Sequence, residues 1–174
     1  MMAVWIIVAA TAVVSGQAPT LLPADVRSAL DRMHPGWRVA EVDSEVRRDS
    51  HARLGETPNV ITGDFDGSGR ADLAILIEYR NVDEPDKAFT HYSEIIAFLN
   101  TATGYLPVRL RDRQPAPHPI QFLTLQKRGA RGFDFEANRK FVYPHDAIGE
   151  WYFEKGGGSY VYENGKFRYI LEAD

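Results

Sequence analysis

Cysteine is absent from the 174 residues of this chain. Disulfide bonds, cysteine nucleophiles and lipid attachment to a cysteine are therefore excluded. A domain in an oxidising compartment would then depend on its hydrophobic core, or on a bound metal that links parts of the chain. Hydrophobic residues make up 44% of the sequence, and the length is that of one domain.

Positively charged residues are also fewer than negatively charged ones. Twenty Lys and Arg residues stand against 24 Asp and Glu residues, which gives a formal net charge of −4 at pH 7. A mildly acidic chain lacks the excess of positive charge that non-specific nucleic-acid binding requires. We therefore expect no nucleic acid among its partners.

The opening segment, MMAVWIIVAATAVVSGQA, has no charged side chain. Its apolar run over residues 3–14 is too short to span a bilayer comfortably, and small residues follow it. The pattern predicts a signal peptide over residues 1–18, cleaved after Gly16 or Ala18. The protein is then secreted or periplasmic, with no stable membrane span after cleavage. An uncleaved anchor is the alternative, because the first residues lack Lys and Arg.

Residues 19–174 are predicted to form one α+β domain. LLPADVRSALDRM carries apolar residues at spacings of three and four, which is typical of an amphipathic helix. From Val60 onwards strand patterns dominate, and Asn164-Gly165 marks a closing hairpin. The expected fold is a short N-terminal helix packed on a mostly antiparallel β-sheet of about seven to nine strands, closing with a C-terminal hairpin.

An acidic loop, GDFDGSGRAD, precedes the most apolar strand, LAIL. Oxygen-bearing groups recur at alternate positions, and a glycine occupies the sixth position, where a calcium loop needs a sharp turn. The predicted ligand set for Ca²⁺ is Asp64, Asp66, Ser68, the Arg70 carbonyl and Asp72. A bare polar turn is the alternative interpretation of residues 64–72.

Other metal sites fit this loop less well. An EF-hand would have a bidentate Glu where Ile75 stands, and a helix would follow. Magnesium demands a stricter octahedron, and zinc prefers His and Cys ligands, which the loop lacks. Calcium is therefore the expected cofactor.

The segment GDFDGSGRADLAIL resembles the calcium loop and following strand of FG-GAP/VCBS-type repeats, found in integrin-like β-propellers and bacterial extracellular proteins. The resemblance extends from Val60 to Leu110 and implies that the five residues named above bind Ca²⁺. Because the chain has one such unit and a propeller needs several, a full propeller is not expected. The early helix, the single loop, the later DAI and the closing Asn-Gly hairpin also resemble small secreted bacterial proteins.

Catalytic motifs are few. The sequence has neither G-x-S-x-G nor H-E-x-x-H. His145 adjoins Asp146, but neighbouring residues of a strand face opposite ways, so a turn in which Asp146 binds backbone is the preferred interpretation. Glu136 and Glu150 could act as an acid and base pair only if they lay close together. We expect no catalytic residues.

The sequence thus predicts a secreted calcium-binding domain, a non-catalytic extracellular binding or structural module whose metal stabilises the fold. Its expected partner is an extracellular protein or a glycan. Two alternatives stay open. One is a small secreted hydrolase that uses the cation or His145 and Asp146, and the other is a secreted inhibitor of an enzyme.

Overall fold

A computed structural model describes residues 22–49, 58–80, 91–116 and 120–173. The predicted signal peptide, residues 1–18, lies outside the described residues. In the part of the chain that is described, no helix has the length and apolar character needed to cross a membrane.

Two helices are present among the described residues, α1 (Ala24–Met33) and α2 (Ser44–Asp49). Pro23 precedes the first turn of α1, where its missing N–H is not needed, and Asp25 complements the helix dipole. At the start of α2, the side chain of Asp43 accepts a first-turn amide at 2.7 Å. The single helix of the sequence prediction is therefore joined by a second, six-residue helix.

The described ranges contain twelve strands, the first of which lies between the two helices. All of their pairings are antiparallel, in agreement with the predicted mostly antiparallel sheet. The first six are β1 (Arg38–Val39), β2 (Val60–Gly63), β3 (Asp72–Arg80), β4 (His91–Thr101), β5 (Gly104–Arg109) and β6 (Gln114–Pro115). The last six are β7 (Gln121–Gln126), β8 (Arg131–Asp134), β9 (Arg139–Val142), β10 (Ala147–Tyr152), β11 (Gly156–Glu163) and β12 (Lys166–Ala173).

The strands form three sheets, so the prediction of one sheet with about seven to nine strands was wrong. The first sheet has the order β1-β3-β4-β5, with β2 also paired to β3 and β6 to β4. The second has the order β12-β11-β10-β7, and β8 and β9 form the third. Alternation of apolar residues identifies strands and their faces, but it does not specify which strands pair.

The predicted C-terminal hairpin is confirmed. Strands β11 and β12 pair through Glu163 and Lys166 on either side of the two-residue turn. Asn164 and Gly165 both have positive φ, of 53° and 81°, as a type I′ turn requires.

Strands β3 and β4 form the centre of the molecule because both of their faces are covered. One face packs against α1, and the other packs against the second sheet. The helix-side core includes Val26, Leu30, Ile75, Ile77, Ile96 and Phe98. The core between the sheets includes Phe65, Ala74, Leu76, Ile95, Leu123 and Ile148. Two-sided burial explains why LAILI is a continuous apolar run.

The packing of α1 on the first sheet can be tested at Leu30, which is fully buried. Replacing Leu30→Ala should lower the free energy of unfolding by about 2–5 kcal/mol, because it leaves a cavity against the strands. Arg32→Ala, on the exposed face of the same helix, should change it by less than about 0.5 kcal/mol. Urea unfolding of both variants measures the difference, and equal losses would contradict this packing.

Candidate metal centre

The acidic loop joins β2 to β3, two strands that pair directly. The last pair of their ladder is Gly63 with Asp72, so the loop is closed at its base by the sheet. Gly67 and Gly69 have φ values of 73° and 80°, a conformation that side chains rarely adopt. The two glycines curl the intervening chain into a compact loop.

This curl brings three of the predicted ligands together. Asp64, Asp66 and Asp72 each offer one carboxylate oxygen, and these oxygens all lie within 4.8 Å of one another. Asp72 is fully buried at the start of β3, whereas the other two are half-buried. Such a group could hold a metal ion, and its oxygen-only chemistry is compatible with Ca²⁺.

Asp72 is held by one amide of the acidic loop and one amide of β4. Its Oδ2 accepts the Phe65 amide at 2.8 Å, and its Oδ1 accepts the Asn100 amide at 2.7 Å. Burial raises the pKa of Asp72, these amides act against the rise, and the charge of Asp66 adds to it. A cation at this place would offset the cost of keeping Asp72 ionised.

Local hydrogen bonds also orient the other two carboxylates. Asp64 Oδ2 accepts the Gly69 amide at 3.1 Å, and Asp66 Oδ1 accepts the Ser68 amide at 2.9 Å. The second oxygen of Asp64, Oδ1, is buried and has no hydrogen-bond partner among the described residues. A buried carboxylate oxygen without a donor is costly, and a bound cation would satisfy it.

Ser68 and Arg70 lie in the same loop, but their roles as ligands stay predictions. The Ser68 hydroxyl oxygen accepts the Arg70 amide at 3.4 Å. The Arg70 side chain points out of the loop, and its Nε donates to the Asn100 carbonyl.

A corner of the second sheet packs on the loop, which sequence reasoning missed. A Cβ added to Gly67 would lie 2.2 Å from the His145 ring, so the ring rests directly on the loop backbone. Asp146 Oδ2 accepts the Asp64 amide at 3.3 Å and the Lys127 ammonium at 3.0 Å, while its Oδ1 accepts the Arg128 amide at 3.0 Å. The loop thus contacts both sheets, the first through its base and the second through His145 and Asp146.

These contacts also determine the pKa of Asp146. Burial pushes this pKa up, but the hydrogen bonds from Arg128, Lys127 and Asp64 outweigh burial and lower it below its usual value. Asp146 is therefore ionised at neutral pH and acts as an acceptor for the loop.

The residues singled out for hydrolysis do not form a catalytic pair in the described structure. His145 Nδ1 is buried and has no hydrogen-bond partner, while Asp146 is bound to the amides and ammonium described above. Glu136 is exposed in the turn between β8 and β9, whereas Glu150 is buried in the second sheet. Neither pair is joined by a hydrogen bond among the described residues.

Glu150 instead forms the centre of a buried hydrogen-bond network. Its carboxylate accepts Gln121 Nε2 at 2.7 Å, Tyr152 OH at 3.0 Å and Tyr160 OH at 2.6 Å, and it pairs with Arg111. Burial and the nearby Glu150 charge raise the pKa of Tyr160. Three of these donors reach Oε1 and one reaches Oε2, so the buried charge is compensated within the fold.

A second polar cluster, which sequence reasoning also missed, lies where β3 ends and β4 begins. It is on the face of the first sheet that packs against α1. Glu94 is 1% exposed, accepts the Tyr79 hydroxyl at 2.5 Å and has Arg109 Nε at 2.8 Å. The His34 ring packs against the Tyr79 ring, with centroids 4.1 Å apart and the planes tilted by 34°. The available signal in the sequence was a glutamate directly before the apolar run IIAFL, since a buried charge needs partners.

Comparison of the chain with models of protein families, with curated proteins and with solved structures finds no match. The FG-GAP/VCBS resemblance therefore stays a prediction based on the loop and its following strand. The functional proposal therefore rests on the geometry of the candidate metal centre.

The contact between the loop and His145 can be tested with two glycine variants. Gly67→Ala and Gly69→Ala should each cost about 1–2 kcal/mol for the left-handed backbone. The new Cβ at Gly67 also meets the His145 ring, whereas nothing lies within 4 Å of the one at Gly69. We expect Gly67→Ala to lower the free energy of unfolding by at least about 1 kcal/mol more.

Urea unfolding in EDTA measures this difference without a contribution from metal binding. Adding His145→Ala to the Gly67→Ala variant should recover most of the excess, as a double-mutant cycle would report. Equal losses in the two glycine variants would show that His145 does not pack on the loop.

Proposed function

We propose that this protein is a secreted calcium-binding domain that works as a non-catalytic extracellular binding or structural module, in which the ion stabilises the fold. The observation that carries the proposal is the convergence of the Asp64, Asp66 and Asp72 oxygens within 4.8 Å. Its loop is the FG-GAP/VCBS-type unit proposed from the sequence, and Ser68 with the Arg70 carbonyl completes the ligand set.

Electrostatics support the presence of a cation. Three carboxylates at this separation repel one another, and the buried Oδ1 of Asp64 has no donor among the described residues. Calcium suits a flexible oxygen-only site, and water fills its remaining positions. With only three carboxylates, we expect extracellular-type affinity, with a Kd of about 10 μM to 1 mM.

The surroundings of the loop support a structural role for the ion. Asp146 and the His145 ring connect the loop to the second sheet. Asp72 begins the central strand β3. An ion at the loop would therefore stabilise both the entry to this strand and the contact between the sheets. Recognition of an extracellular protein or a glycan would then use another surface of the domain.

Thermal unfolding of the protein in EDTA and in calcium tests the proposal. Ligand binding to the folded state alone adds about 2.7 kcal/mol at a concentration of about 100 Kd. For a domain of this size, that should raise Tm by about 5–10 °C. Magnesium at the same concentration should raise Tm less. No change between EDTA and calcium would mean that the loop is only a polar turn.

Asp66→Ala assigns the effect to the loop. This variant should lose the calcium-dependent rise in Tm, because it removes one of the three carboxylates. Glu41→Ala is the matched control, since it removes the same charge from an exposed position outside the loop, and it should retain the rise. A full calcium-dependent rise in Asp66→Ala would overturn the assignment of the ion to residues 64–72.

A further inference from the structure

The hairpin of β8 and β9, together with the turn before it, has an excess of positive charge. Residues 127–142 contain five Lys and Arg residues and two Asp and Glu residues, which gives a net charge of +3. The rest of the chain contains the other 15 Lys and Arg residues and 22 Asp and Glu residues, a net charge of −7. One short segment of an acidic protein is therefore basic.

The register of the hairpin assigns its side chains to two faces. Arg131 lies opposite Val142, and Phe133 lies opposite Lys140, so these two pairs share one face. Phe141 points the other way and packs against a core cluster of the second sheet. The face with the two pairs is therefore the outer one, and both of its cations are exposed.

Apolar side chains lie among these cations. Val142 is 56% exposed, and Phe135, directly after β8, is 51% exposed. The Phe135 ring contacts the half-buried Phe133 ring edge-on, with centroids 5.1 Å apart. Exposed apolar side chains that lie together indicate an interaction surface, whereas scattered ones do not. We call Arg131, Phe133, Phe135, Lys140 and Val142 the outer face of the hairpin.

The cations of the outer face have no acidic partner in the described part of the chain. The side chains of Arg131 and Lys140 make neither a hydrogen bond nor an ion pair there. By contrast, Arg139 and Arg168 lie 4.0 and 3.8 Å from the carboxylate of Asp134. The two charges of the outer face are thus available to an anionic partner.

This mixture of groups suits an anionic lipid surface. At such a surface, apolar side chains enter the boundary between headgroups and acyl chains, and Lys and Arg are attracted to the negative headgroups. The charge of −7 on the rest of the chain would be repelled, so the protein would approach with the hairpin first. A peptide strand is a poorer partner, because Arg139 and Lys140 on the four-residue strand β9 discourage strand addition.

We propose that the outer face of the hairpin docks the protein reversibly on membranes that contain anionic phospholipids. Phe135 and Val142 enter the headgroup boundary, and Arg131 and Lys140 contact the phosphates. The contact is peripheral. It lies on the third sheet, whereas the acidic loop joins two strands of the first sheet, so it goes beyond the proposed calcium function.

Co-sedimentation with lipid vesicles tests the proposal. Residues 19–174 contain every helix and strand of the described structure, and they omit the apolar opening segment, which would bind lipid by itself. With calcium present, vesicles of phosphatidylcholine with about 30% phosphatidylglycerol should bind half of this protein near about 1 mM lipid. Vesicles of phosphatidylcholine alone should bind it at least about tenfold more weakly.

The double variant Arg131→Gln, Lys140→Gln tests the cations. Each cation near an anionic surface contributes about fivefold, so vesicle binding should weaken at least about tenfold. Arg32→Gln with Lys155→Gln is the matched control, because it removes the same charges at exposed positions outside the hairpin. This control should bind within about twofold of the unmodified protein. Calcium bridges between lipid and acidic side chains would not distinguish the two double variants.

Phe135→Ser tests the apolar contact. It should weaken vesicle binding about fivefold, because less apolar surface leaves water. Leu106→Ser is the matched control, since Leu106 is 54% exposed on β5 of the first sheet, and it should bind like the unmodified protein. Circular dichroism of each variant checks that it is folded.

Four results would overturn the proposal. The first is no binding of the folded protein to the anionic vesicles, and the second is equal binding by the two double variants. The third is full vesicle binding by Phe135→Ser, which would indicate recognition of a polyanion by charge alone. The fourth is a dimer in solution that Val142→Asp dissociates, since a second copy would then cover the face. None of these results depends on whether calcium raises Tm, so the membrane contact and the metal centre are tested separately.

Discussion

Burial of the β3–β4 pair on both faces is the constraint on which the rest of the described structure depends. Between the helix α1 and the second sheet, a charged side chain in the middle of these strands would have no water and few partners. Apolar residues fill that middle, from Leu73 to Ile77. The ionisable groups occur where the strands end, at Asp72 on one side and at Glu78 and Glu94 on the other.

This separation explains why two different polar sites occur on one pair of strands. At the loop end, carboxylates face one another with few cations near them, which favours an added metal ion. At the other end, Arg109 Nε lies 2.8 Å and His34 Nε2 lies 3.3 Å from Glu94, so basic side chains of the protein itself stand beside the buried carboxylate. The chemistry of each site follows from what the protein itself pairs with its buried carboxylate.

The junction of the two sheets is held at both ends of the short strand β2. At its start, Asn59 is fully buried, donates to the Ala40 carbonyl at 2.8 Å and accepts the Leu123 amide at 3.1 Å. At its end, the Asp64 amide reaches Asp146 of the second sheet. These contacts at both ends of β2 determine where the acidic loop begins, so an ion bound there would act on the same backbone as the packing of the sheets.

The sequence allowed prediction of the features that depend on local patterns. The α1 helix, the Asn164-Gly165 hairpin, antiparallel strands and the clustering of Asp64 with Asp72 all follow from spacing within a few residues. The division into three sheets could not be predicted, because alternation does not reveal partners. The contact of His145 with the loop and the pairing of Glu94 with Arg109 likewise join residues far apart in the chain.

Two buried carboxylates lie at the contacts between the layers of the fold. Glu94 lies between α1 and the first sheet, and its partners His34 and Arg109 come from both layers. Glu150 lies between the two sheets and receives Arg111, which also contacts Ser93 of the first sheet at 3.5 Å.

Apolar side chains alone would tolerate small shifts of one layer over another, because hydrophobic contact is not directional. A buried carboxylate loses much more when its donors move, since its desolvation is then uncompensated. Each layer contact contains one such group, so the helix, the first sheet and the second sheet are restricted to one mutual arrangement. That arrangement places the His145 ring over the acidic loop and the end of α1 beside Glu94 and Arg109.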